Sequence, residues 1–371
     1  MLFSQVMMHV PFYSLDYVER DLGSSLGESV DAVIKSNWYI RGSHCTAFEE
    51  AFAAYCGKKA CVGVGNGLDA LTLMLKASIV LGRLAEGDEV IVPANTFVAT
   101  VLAVRAAGLV PVLVEPDPET CNLDVARLAD ACSEKTRAIL VVHLYGRLAD
   151  MPAICEFAKA HDLQVFEDAA QAHGAVLAGG VPSVAAAYSF YPTKNLGAMG
   201  DGGAVVTDDL ELAQVVRSLG NYGSEQKYVN KYAGVNSRLD EIQAALLDVK
   251  LPYLDADNAR RREIAKYYRE NITNPKIILP KTYDENAHVW HVFTLRCEKR
   301  DELCKYLNDN GIQTNIHYPT PPHKQGAYQE WNNQSFPITE EIHRTIMSIP
   351  ISPVLTDEEV KKIVKVINDW K

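Results

Sequence analysis

The sequence has no long run of apolar residues and no excess of positive charge. None of its apolar stretches approaches the roughly 18 residues that a membrane span needs, and the N-terminal segment MLFSQVMMHVPFYSL lacks the positive flank of a secretion signal. Lysine and arginine together number 36 and aspartate and glutamate 47, which gives a net charge of -11. We therefore expect a cytoplasmic protein that binds neither membranes nor nucleic acid.

Paired cysteines are also missing. The eight cysteines are scattered along the chain, without a C-x-x-C pair or a regular framework of spacings. We expect reduced and mostly buried thiols, and we expect no metal site. The cysteines are Cys45, Cys56, Cys61, Cys121, Cys132, Cys155, Cys297 and Cys304.

What the sequence does contain is an alternation of short β-rich segments and longer segments of helical period, from about Asp21 to about Leu251. This alternation indicates parallel βαβ units. The predicted strands are Glu89–Val92, Val110–Val114, Ala138–His143, Gln164–Glu167, Ala186–Phe190 and Ala204–Thr207. The predicted helices include Asp69–Leu81, Thr96–Ala107 and Met151–His161.

A chain of 371 residues exceeds the usual size of one compact core. After Arg238 the sequence predicts one long helix, interrupted near Pro252, that leaves the large domain. The predicted division is therefore 1–251 for a large α/β domain with a mostly parallel sheet, and 252–371 for a smaller α+β domain. Val289–Arg296 is the clearest predicted strand of the small domain, on which the N-terminal segment is a candidate to pack.

The densest chemical signal is the segment SFYPTKNLGAMGDGGAVVT, residues 189–207, in which Lys194 stands between a predicted strand and a glycine-rich stretch. A side chain there projects from the carboxyl end of the sheet, where α/β folds bind ligands. Glycines next to it let the backbone approach a cofactor closely. A lysine in a loop is more often a solvated surface charge, so the neighbouring motifs decide between the two interpretations.

The segment VFEDAAQAHGA places a second ionisable group, Asp168, at the same edge of the sheet. An aspartate at a strand end can simply cap the next helix. Pyridoxal chemistry is the sharper interpretation, because it needs a carboxylate that keeps the pyridine nitrogen protonated so that the ring withdraws electrons. Gln171 is near enough in sequence to reach a hydroxyl on such a ring.

The segment CVGVGNGLDALTLMLKA predicts a strand, a glycine turn and a helix whose first N–H groups can cradle a phosphate. The turn Gly63–Gly67 does not match the G-x-G-x-x-G pattern of dinucleotide-binding loops, because Leu68 or Ala70 stands where the last glycine belongs. A single phosphate fits this turn better than a dinucleotide.

Together these segments resemble the DegT/StrS-type sugar nucleotide aminotransferases, which use pyridoxal 5'-phosphate and have the aspartate aminotransferase fold, fold type I. The resemblance covers nearly the whole chain, in the family's order and spacing. The matching segments are NWYIRGSHCTAFEEAFAAYCG, VGVGNGLDAL, GDEVIVPANTFVAT, VVHLYG, EDAAQAHGA, SFYPTKNLGAMGDGGAV and GVNSRLDEIQAALL.

The resemblance implies a role for each matching residue. Lys194 is similar to the family's Schiff-base lysine, Asp168 to its pyridinium partner and Gln171 to its ring-hydroxyl contact. Phe97 resembles the aromatic residue that stacks on the pyridine ring, with an ordinary core phenylalanine as the alternative. The implied cofactor contacts are Asn66, Gly67, Leu68, Phe97, Asp168, Gln171, Ser189, Lys194 and, reaching from a second subunit, Asn236.

The resemblance also implies a mechanism and an assembly. L-Glutamate is the usual amino donor of the family, so ping-pong kinetics are expected, in which Lys194 moves the proton in both halves of the reaction. Because Asn236 is similar to an asparagine that reaches the neighbouring cofactor phosphate, a homodimer with shared active sites is expected.

Within the family, the segments WYI, VGVGNGLDAL and VEPD are most similar to enzymes that aminate C3 of a dTDP-linked 3-keto-6-deoxyhexose, as for bacterial surface glycans. Tyr188, His317 and Tyr318 are then expected to contact the hexose, with a packed loop as the alternative for His317 and Tyr318. A C4-directed aminotransferase, a sugar 3-dehydratase and a non-catalytic regulatory protein are the competing functions. The related dehydratases replace the lysine with histidine.

Lys227, Tyr228 and Lys231 are expected to contact the nucleotide diphosphate from the second subunit, unless they form a solvated basic stretch. Two departures from the family pattern bear on the sugar. Arg41 stands where related sequences often carry a smaller or apolar residue, so the lip of the site is expected to differ. Ala185–Ala187 replace a stretch that often carries an acidic residue or glycine.

Overall fold

The computed structural model describes residues 9–15, 22–176, 182–282 and 284–371. The helices are Gly23–Ser36 (α1), Ser43–Tyr55 (α2), Gly67–Val80 (α3), Val98–Ala106 (α4), Leu128–Ala131 (α5), Met151–Ala160 (α6), Leu210–Leu219 (α7), Glu241–Lys250 (α8), Leu254–Asn271 (α9), Arg300–Asp309 (α10), Pro337–Thr345 (α11) and Asp357–Asp369 (α12). The strands are Ala60–Val64 (β1), Glu89–Pro93 (β2), Val110–Val114 (β3), Thr136–Val142 (β4), Gln164–Asp168 (β5), Ala185–Ser189 (β6), Gly203–Thr207 (β7), Ser224–Gln226 (β8), Val229–Asn230 (β9), Phe293–Arg296 (β10) and Ile346–Ile349 (β11).

Seven strands form one sheet, in the order β1-β7-β6-β5-β4-β2-β3. The strands from β2 to β6 run parallel, whereas β7 runs antiparallel to both of its neighbours, β6 and β1. The prediction of a mostly parallel sheet is confirmed. Each of the six predicted strands is present, with ends shifted by no more than two residues.

The sheet is covered on both faces, which explains why its strands are almost wholly apolar. Helices α3, α4 and α7 cover one face, where Leu140 and Phe166 are fully buried. Helices α2 and α8 cover one part of the other face and α6 covers another part. Because successive strand residues point to opposite faces, Ala187 packs on the side of α3 and Tyr188 on the side of α2.

The connection between β6 and β7 contains no helix, and this explains why the two strands are antiparallel. A parallel neighbour requires a long crossover, usually a helix, whereas residues 190–202 form an irregular loop that turns the chain back at the same edge of the sheet. That loop carries Lys194. It lies beside the carboxyl end of β5, where Asp168 is the last strand residue.

The long predicted helix is interrupted where expected. Pro252 lies in a 3-10 turn, residues 251–253, between α8 and α9. Leu254 packs with the cluster under the large sheet, while Ile264 and Tyr268 of the same helix pack with β10 and β11. Val10 belongs to this second cluster and bridges Ile312. The domain boundary at residue 251 stays a prediction.

The predicted strand Val289–Arg296 is wrong in its first half. Only Phe293–Arg296 is a strand, because Trp290 has a positive φ of 49°, which breaks the extended conformation. The N–H groups of Val289 and His291 instead donate to the carbonyl oxygens of Gly146 and Tyr145, which follow β4 of the large sheet, at 2.9 and 3.1 Å. These contacts bring His291 to the edge of the large sheet.

All eight cysteines are unpaired. Cys45, Cys61 and Cys297 are buried and the other five are half-buried, so fewer thiols are fully buried than the sequence suggested. Within the described ranges, no helix combines the length and the apolarity that crossing a membrane requires.

Candidate active site

A cavity of about 510 Å³ opens where β5 and β6 end. The starts of α3 and α4 form one side of it, and residues from the C-terminal part of the chain form another. Of the nine predicted cofactor contacts, all except Asn236 line this cavity. They are Asn66, Gly67, Leu68, Phe97, Asp168, Gln171, Ser189 and Lys194.

Lys194 lies in the loop between β6 and β7, where its N–H donates to the carbonyl oxygen of Tyr191 at 2.8 Å. The loop folds tightly: a Cβ at Gly197 would lie 2.3 Å from the carbonyl oxygen of Pro192, so glycine is required there. Burial lowers the pKa of Lys194 to about 8, and the nearby charge of Asp168 opposes this shift. The amine is therefore uncharged more often near neutral pH than an exposed lysine, as a nucleophile or base requires.

The carboxylate of Asp168 is buried at the end of β5. The Thr100 hydroxyl donates to Oδ2 at 2.8 Å and the Ala170 N–H donates to Oδ1 at 3.2 Å. Burial raises the pKa of Asp168, while these two donors and Lys194 act in the opposite direction. A turn follows β5 and no helix begins at Asp168, so the helix-cap alternative is wrong.

Gln171 is held rigidly beside Asp168. Its Oε1 accepts the N–H of Tyr145 at 2.6 Å, and its Nε2 donates to the hydroxyl of Tyr318 at 2.8 Å. A side-chain amide nitrogen carries two hydrogens. One N–H of Gln171 therefore remains for a group bound in the cavity.

The first turn of α3 forms an anion-binding element. Asn66 caps the helix, because its side-chain oxygen accepts the N–H of Asp69 at 2.9 Å. At Gly67 a Cβ would lie 2.6 Å from the Cβ of Ser189, so only glycine lets the helix begin against the end of β6. The free N–H groups of the first turn and the helix dipole favour a negative group in this part of the cavity.

A buried amide network ties the lysine loop to the rest of the site. Asn195 donates Nδ2 to Oδ1 of Asn258 at 2.8 Å and to the carbonyl oxygen of Val289 at 2.9 Å. Asn258, on α9, donates its own Nδ2 to the carbonyl oxygen of His173 at 2.8 Å. Helix α9 thus holds the neighbour of Lys194 and the segment after β5 in fixed positions.

The C-terminal part of the chain closes one side of the cavity with His317 and Tyr318. The rings of Tyr318 and Phe97 have centroids 4.9 Å apart. His317 Nδ1 lies 2.8 Å from Ser348 Oγ, and burial lowers the pKa of His317 to about 4, so its imidazole is neutral. Both side chains pack against neighbouring residues, as the packed-loop alternative predicts, and both also line the cavity.

Tyr188 is not brought to the cavity. It precedes Ser189 on β6, so the two side chains point to opposite faces. Its ring packs edge-on against Phe52 of α2, with centroids 5.1 Å apart, and lies 5.2 Å from the ring of His173. Ala185–Ala187 are also in the core rather than in the cavity wall.

The residues expected to act across a dimer lie outside the cavity of their own chain. Lys227 and Tyr228 lie on the exposed turn between β8 and β9, and Lys231 pairs there with Glu225 at 2.9 Å. Asn236 is exposed on the segment that leads to α8.

The sequence motifs did not reveal several residues of the site. Tyr13 and His291 line the cavity but are distant in sequence from every motif, and no spacing marks them. Thr193 and Asp201 also line it and lie within the lysine segment, residues 189–207, where no feature of the sequence distinguishes them. Thr100, which donates to Asp168, is the last residue of the matching segment GDEVIVPANTFVAT, but nothing in that segment indicates its contact with Asp168.

Comparison with known proteins also indicates an aminotransferase. A profile of the DegT/DnrJ/EryC1/StrS aminotransferase family matches residues 21–368. The chain is 52% identical over 364 residues to a dTDP-3-amino-3,6-dideoxy-alpha-D-galactopyranose transaminase from Aneurinibacillus thermoaerophilus, covering 97% of this chain and 99% of that protein.

Two solved structures superpose closely on this one. DesV from S. venezuelae, in complex with a ketimine intermediate, matches with a TM-score of 0.94 and 45% identity, over 98% of each chain. NtdA from Bacillus subtilis, with bound cofactor PMP, matches with a TM-score of 0.90 and 32% identity, over 97% of this chain and 84% of that one. The fold and these relatives define the protein as an aminotransferase. Within that class it belongs to the DegT/DnrJ/EryC1/StrS aminotransferase family.

Proposed function

We propose that the protein transfers an amino group from L-glutamate to a dTDP-linked 3-keto-6-deoxyhexose, with pyridoxal 5'-phosphate as cofactor, to give a 3-amino-3,6-dideoxyhexose. The observation that carries the proposal is the placement of Lys194 and Asp168 in one cavity with the start of α3. The similarity to the A. thermoaerophilus transaminase supports the choice of sugar and nucleotide.

The residues of the cavity fit pyridoxal phosphate. The first turn of α3 offers N–H groups to a phosphate, with Ser189 beside it, and Asp168 offers a carboxylate to the ring nitrogen. Phe97 offers an aromatic face at the cavity wall. When bound, the cofactor supplies an electron-poor ring that accepts the electron pair left as a proton departs from the carbon bearing the nitrogen.

Each step then depends on side chains of this chain. Lys194 Nζ, whose pKa is lowered to about 8, takes the proton from the α-carbon of glutamate and returns a proton to the sugar carbon in the second half-reaction. Asp168 would hold a proton on the ring nitrogen, because the positively charged ring beside it would keep the Asp168 carboxylate ionised. Gln171 orients the ring hydroxyl through its remaining N–H.

The hexose is proposed to lie against His317 and Tyr318. Both line the cavity. Tyr318 also packs on Phe97, so a sugar bound there is positioned next to the proposed ring-stacking residue. The neutral imidazole of His317 can accept or donate one hydrogen bond to a sugar hydroxyl.

A second copy of the chain is proposed to complete each site. Tyr228 is 89% exposed on the turn between β8 and β9, and Trp38 and Tyr222 expose 62% and 52% of their surface. Exposed aromatic side chains of this kind are typical of interfaces. The residues proposed to reach the partner's cofactor phosphate or nucleotide diphosphate are Asn236, Lys227, Tyr228 and Lys231.

A C4-directed aminotransferase is the nearest competing function, because it would use the same cofactor residues. The similarity to a 3-amino sugar transaminase favours C3. The presence of Lys194 in the cavity argues against a dehydratase that uses histidine at this position.

A single-turnover experiment tests the proposal. Protein loaded with pyridoxamine phosphate is mixed with dTDP-3-keto-6-deoxyglucose, its C4 epimer or dTDP-4-keto-6-deoxyglucose, and the return of the visible absorbance of the pyridoxal form is followed. We expect rapid return with a 3-keto sugar, and no return in Lys194→Ala. Return only with the 4-keto sugar contradicts the C3 assignment, and no return with any of the three contradicts the proposed substrate.

A further inference from the structure

A second pocket, of about 150 Å³, lies outside the cavity, beside the edge strand β1. It is bounded by α2, by α7 and by the loop before α8, and three arginines line it: Arg41, Arg217 and Arg238. The proposed transamination uses none of them. We propose that this arginine pocket binds a small oxyanion of the phosphate class.

The positive charge of the arginine pocket is not neutralised within the described chain. Glu49 is the one carboxylate that lines the pocket, and Arg217 binds it through two nitrogens, at 2.6 and 3.2 Å. Arg238 donates to the neutral side chain of Asn221 at 2.9 Å. The guanidinium of Arg41 makes no hydrogen bond or ion pair with any residue that the structure describes. Two of the three guanidinium charges therefore have no carboxylate.

Two carboxylates close to the pocket in the fold, Glu241 and Asp69, already have hydrogen-bond donors. Glu241 accepts three backbone N–H groups at the start of α2, at 2.6 to 2.9 Å. Asp69 accepts the hydroxyl of Ser237 at 2.6 Å, and neither carboxylate lines the pocket. Burial, followed by the like charge of Arg217, lowers the pKa of Arg41. An added anion would relieve this repulsion.

The backbone of Arg41 gives a second, independent observation. Its φ is +53°, in the left-handed region that non-glycine residues rarely adopt. The flanking residues hold it there, because Ile40 bridges Asp240 and the N–H of Gly42 donates to Glu241 at 2.6 Å. A residue kept in an unfavourable backbone conformation points to a role for its side chain.

The shape and chemistry of the arginine pocket select the ligand. A guanidinium group is a planar fork of donors that matches two oxygens of a phosphate. A cavity of about 150 Å³ is known to hold a ligand as large as benzene. The pocket therefore accommodates orthophosphate, or the phosphate group of a small ester, but not a whole nucleotide sugar.

Calorimetric titration of orthophosphate into the cofactor-loaded protein tests the proposal, because the cofactor then fills the anion-binding start of α3. Ionic strength is held constant with chloride. We expect one phosphate per chain, and in Arg41→Leu a loss of affinity of at least about tenfold, as for one charged hydrogen-bonding group. Arg137→Leu is the matched control, since Arg137 is exposed on β4 and donates only to the backbone carbonyl oxygens of residues 134 and 136.

One further variant and one further measurement keep the result decisive. Arg41→Lys retains the charge without the fork and should bind with intermediate affinity. Absence of phosphate-specific binding in the unmodified protein overturns the proposal, as does equal affinity in Arg41→Leu and Arg137→Leu. If phosphate does not bind and Arg41→Leu instead weakens the association of two copies, the arginines serve a carboxylate of the second copy and the proposal is wrong.

Discussion

Ionisable side chains near the lysine loop fall in two regions. Lys194 and Asp168 face the cavity, whereas Lys250, on α8, and Glu167, next to Asp168 on β5, are buried on the core side. Burial lowers the pKa of both lysines to about 8. The two regions are therefore not distinguished by how far burial perturbs a lysine.

The difference lies in what the polar atoms contact. On the core side, Glu167 Oε2 lies 2.7 Å from His143 Nε2 and its other oxygen accepts the Ser183 hydroxyl, while Lys250 donates to the carbonyl oxygen of Gly197. On the cavity side, Asp168 has only neutral donors, and Lys194 Nζ makes no hydrogen bond within the described chain. A shifted pKa thus reports burial, and unused hydrogen-bonding capacity next to a cavity marks the site.

The largest difference between the two regions is expected when each lysine is replaced by methionine. Lys194→Met should lower turnover by about 10⁴-fold, since the proton-transfer group is lost. Lys250→Met should keep turnover within about tenfold but lose about 1–3 kcal/mol of unfolding free energy, because the carbonyl of Gly197 loses its donor. Steady-state rates and urea unfolding measure both. Similar losses of turnover in the two variants would contradict the distinction.

The neighbouring carboxylates of β5 allow the same comparison with a smaller effect. Asp168→Asn should reduce turnover by about 10²- to 10³-fold, as when one preorganised electrostatic group is removed. Glu167→Gln should mainly reduce stability, by about 1–3 kcal/mol, because its bonds to His143 and Ser183 weaken. A large loss of turnover in Glu167→Gln, with the fold intact, would show that the core-side pair also serves the reaction.

The amide network through Asn258 links the two regions. Asn258→Ala should lower kcat by about 10- to 100-fold with little change in KM, because a small displacement of the lysine loop impairs proton transfer. Asn274→Ala is the matched control: Asn274 is a buried amide that donates to the carbonyl oxygens of Ile367 and Trp370, away from the cavity. If both variants only lose stability and retain kcat, Asn258 does not position the site.

The pH dependence of stability should not distinguish the two lysines. Each has a folded pKa of about 8, below the ordinary value of 10.5. Between pH 8 and 10.5 each lysine is still protonated in the unfolded chain but deprotonated in the folded chain. The free energy of unfolding therefore rises with pH over this range, and the destabilisation by each buried lysine is largest below about pH 8. In cofactor-free protein we expect each lysine to contribute a rise on the order of 1–2 kcal/mol up to pH 10. Lys194→Met and Lys250→Met should reduce the rise equally in unfolding experiments, and unequal reductions would contradict this.

The part of the site that sequence reasoning predicted lies at the ends of strands. Asp168 ends β5 and Lys194 follows β6, and parallel neighbours bring such positions to one edge whatever the rest of the chain does. The alternation of side chains along a strand could have excluded Tyr188 from the cavity. It adjoins Ser189 on one strand, and two successive strand residues do not face one cavity.

The remaining part depends on tertiary contacts that no local pattern encodes. His291 reaches the cavity because Trp290 breaks the predicted strand and the backbone of residues 289–291 bonds to the large domain. Asn258 lies on the polar-looking helix α9, where its sequence gives no sign that it is fully buried between two loops. The antiparallel direction of β7 follows from a loop without a helix, which the glycine-rich sequence indicated only as a cofactor motif.

The pairing of β1 with β7 has a consequence for synthesis of the chain. Strand β1 ends at residue 64, but its sheet neighbour begins only at residue 203. A nascent or truncated chain that stops before residue 203 therefore holds β1 and the adjoining helix start without the strand that anchors them. Such a fragment exposes an unpaired strand edge and apolar surface, so premature termination should yield aggregating material rather than a smaller folded protein.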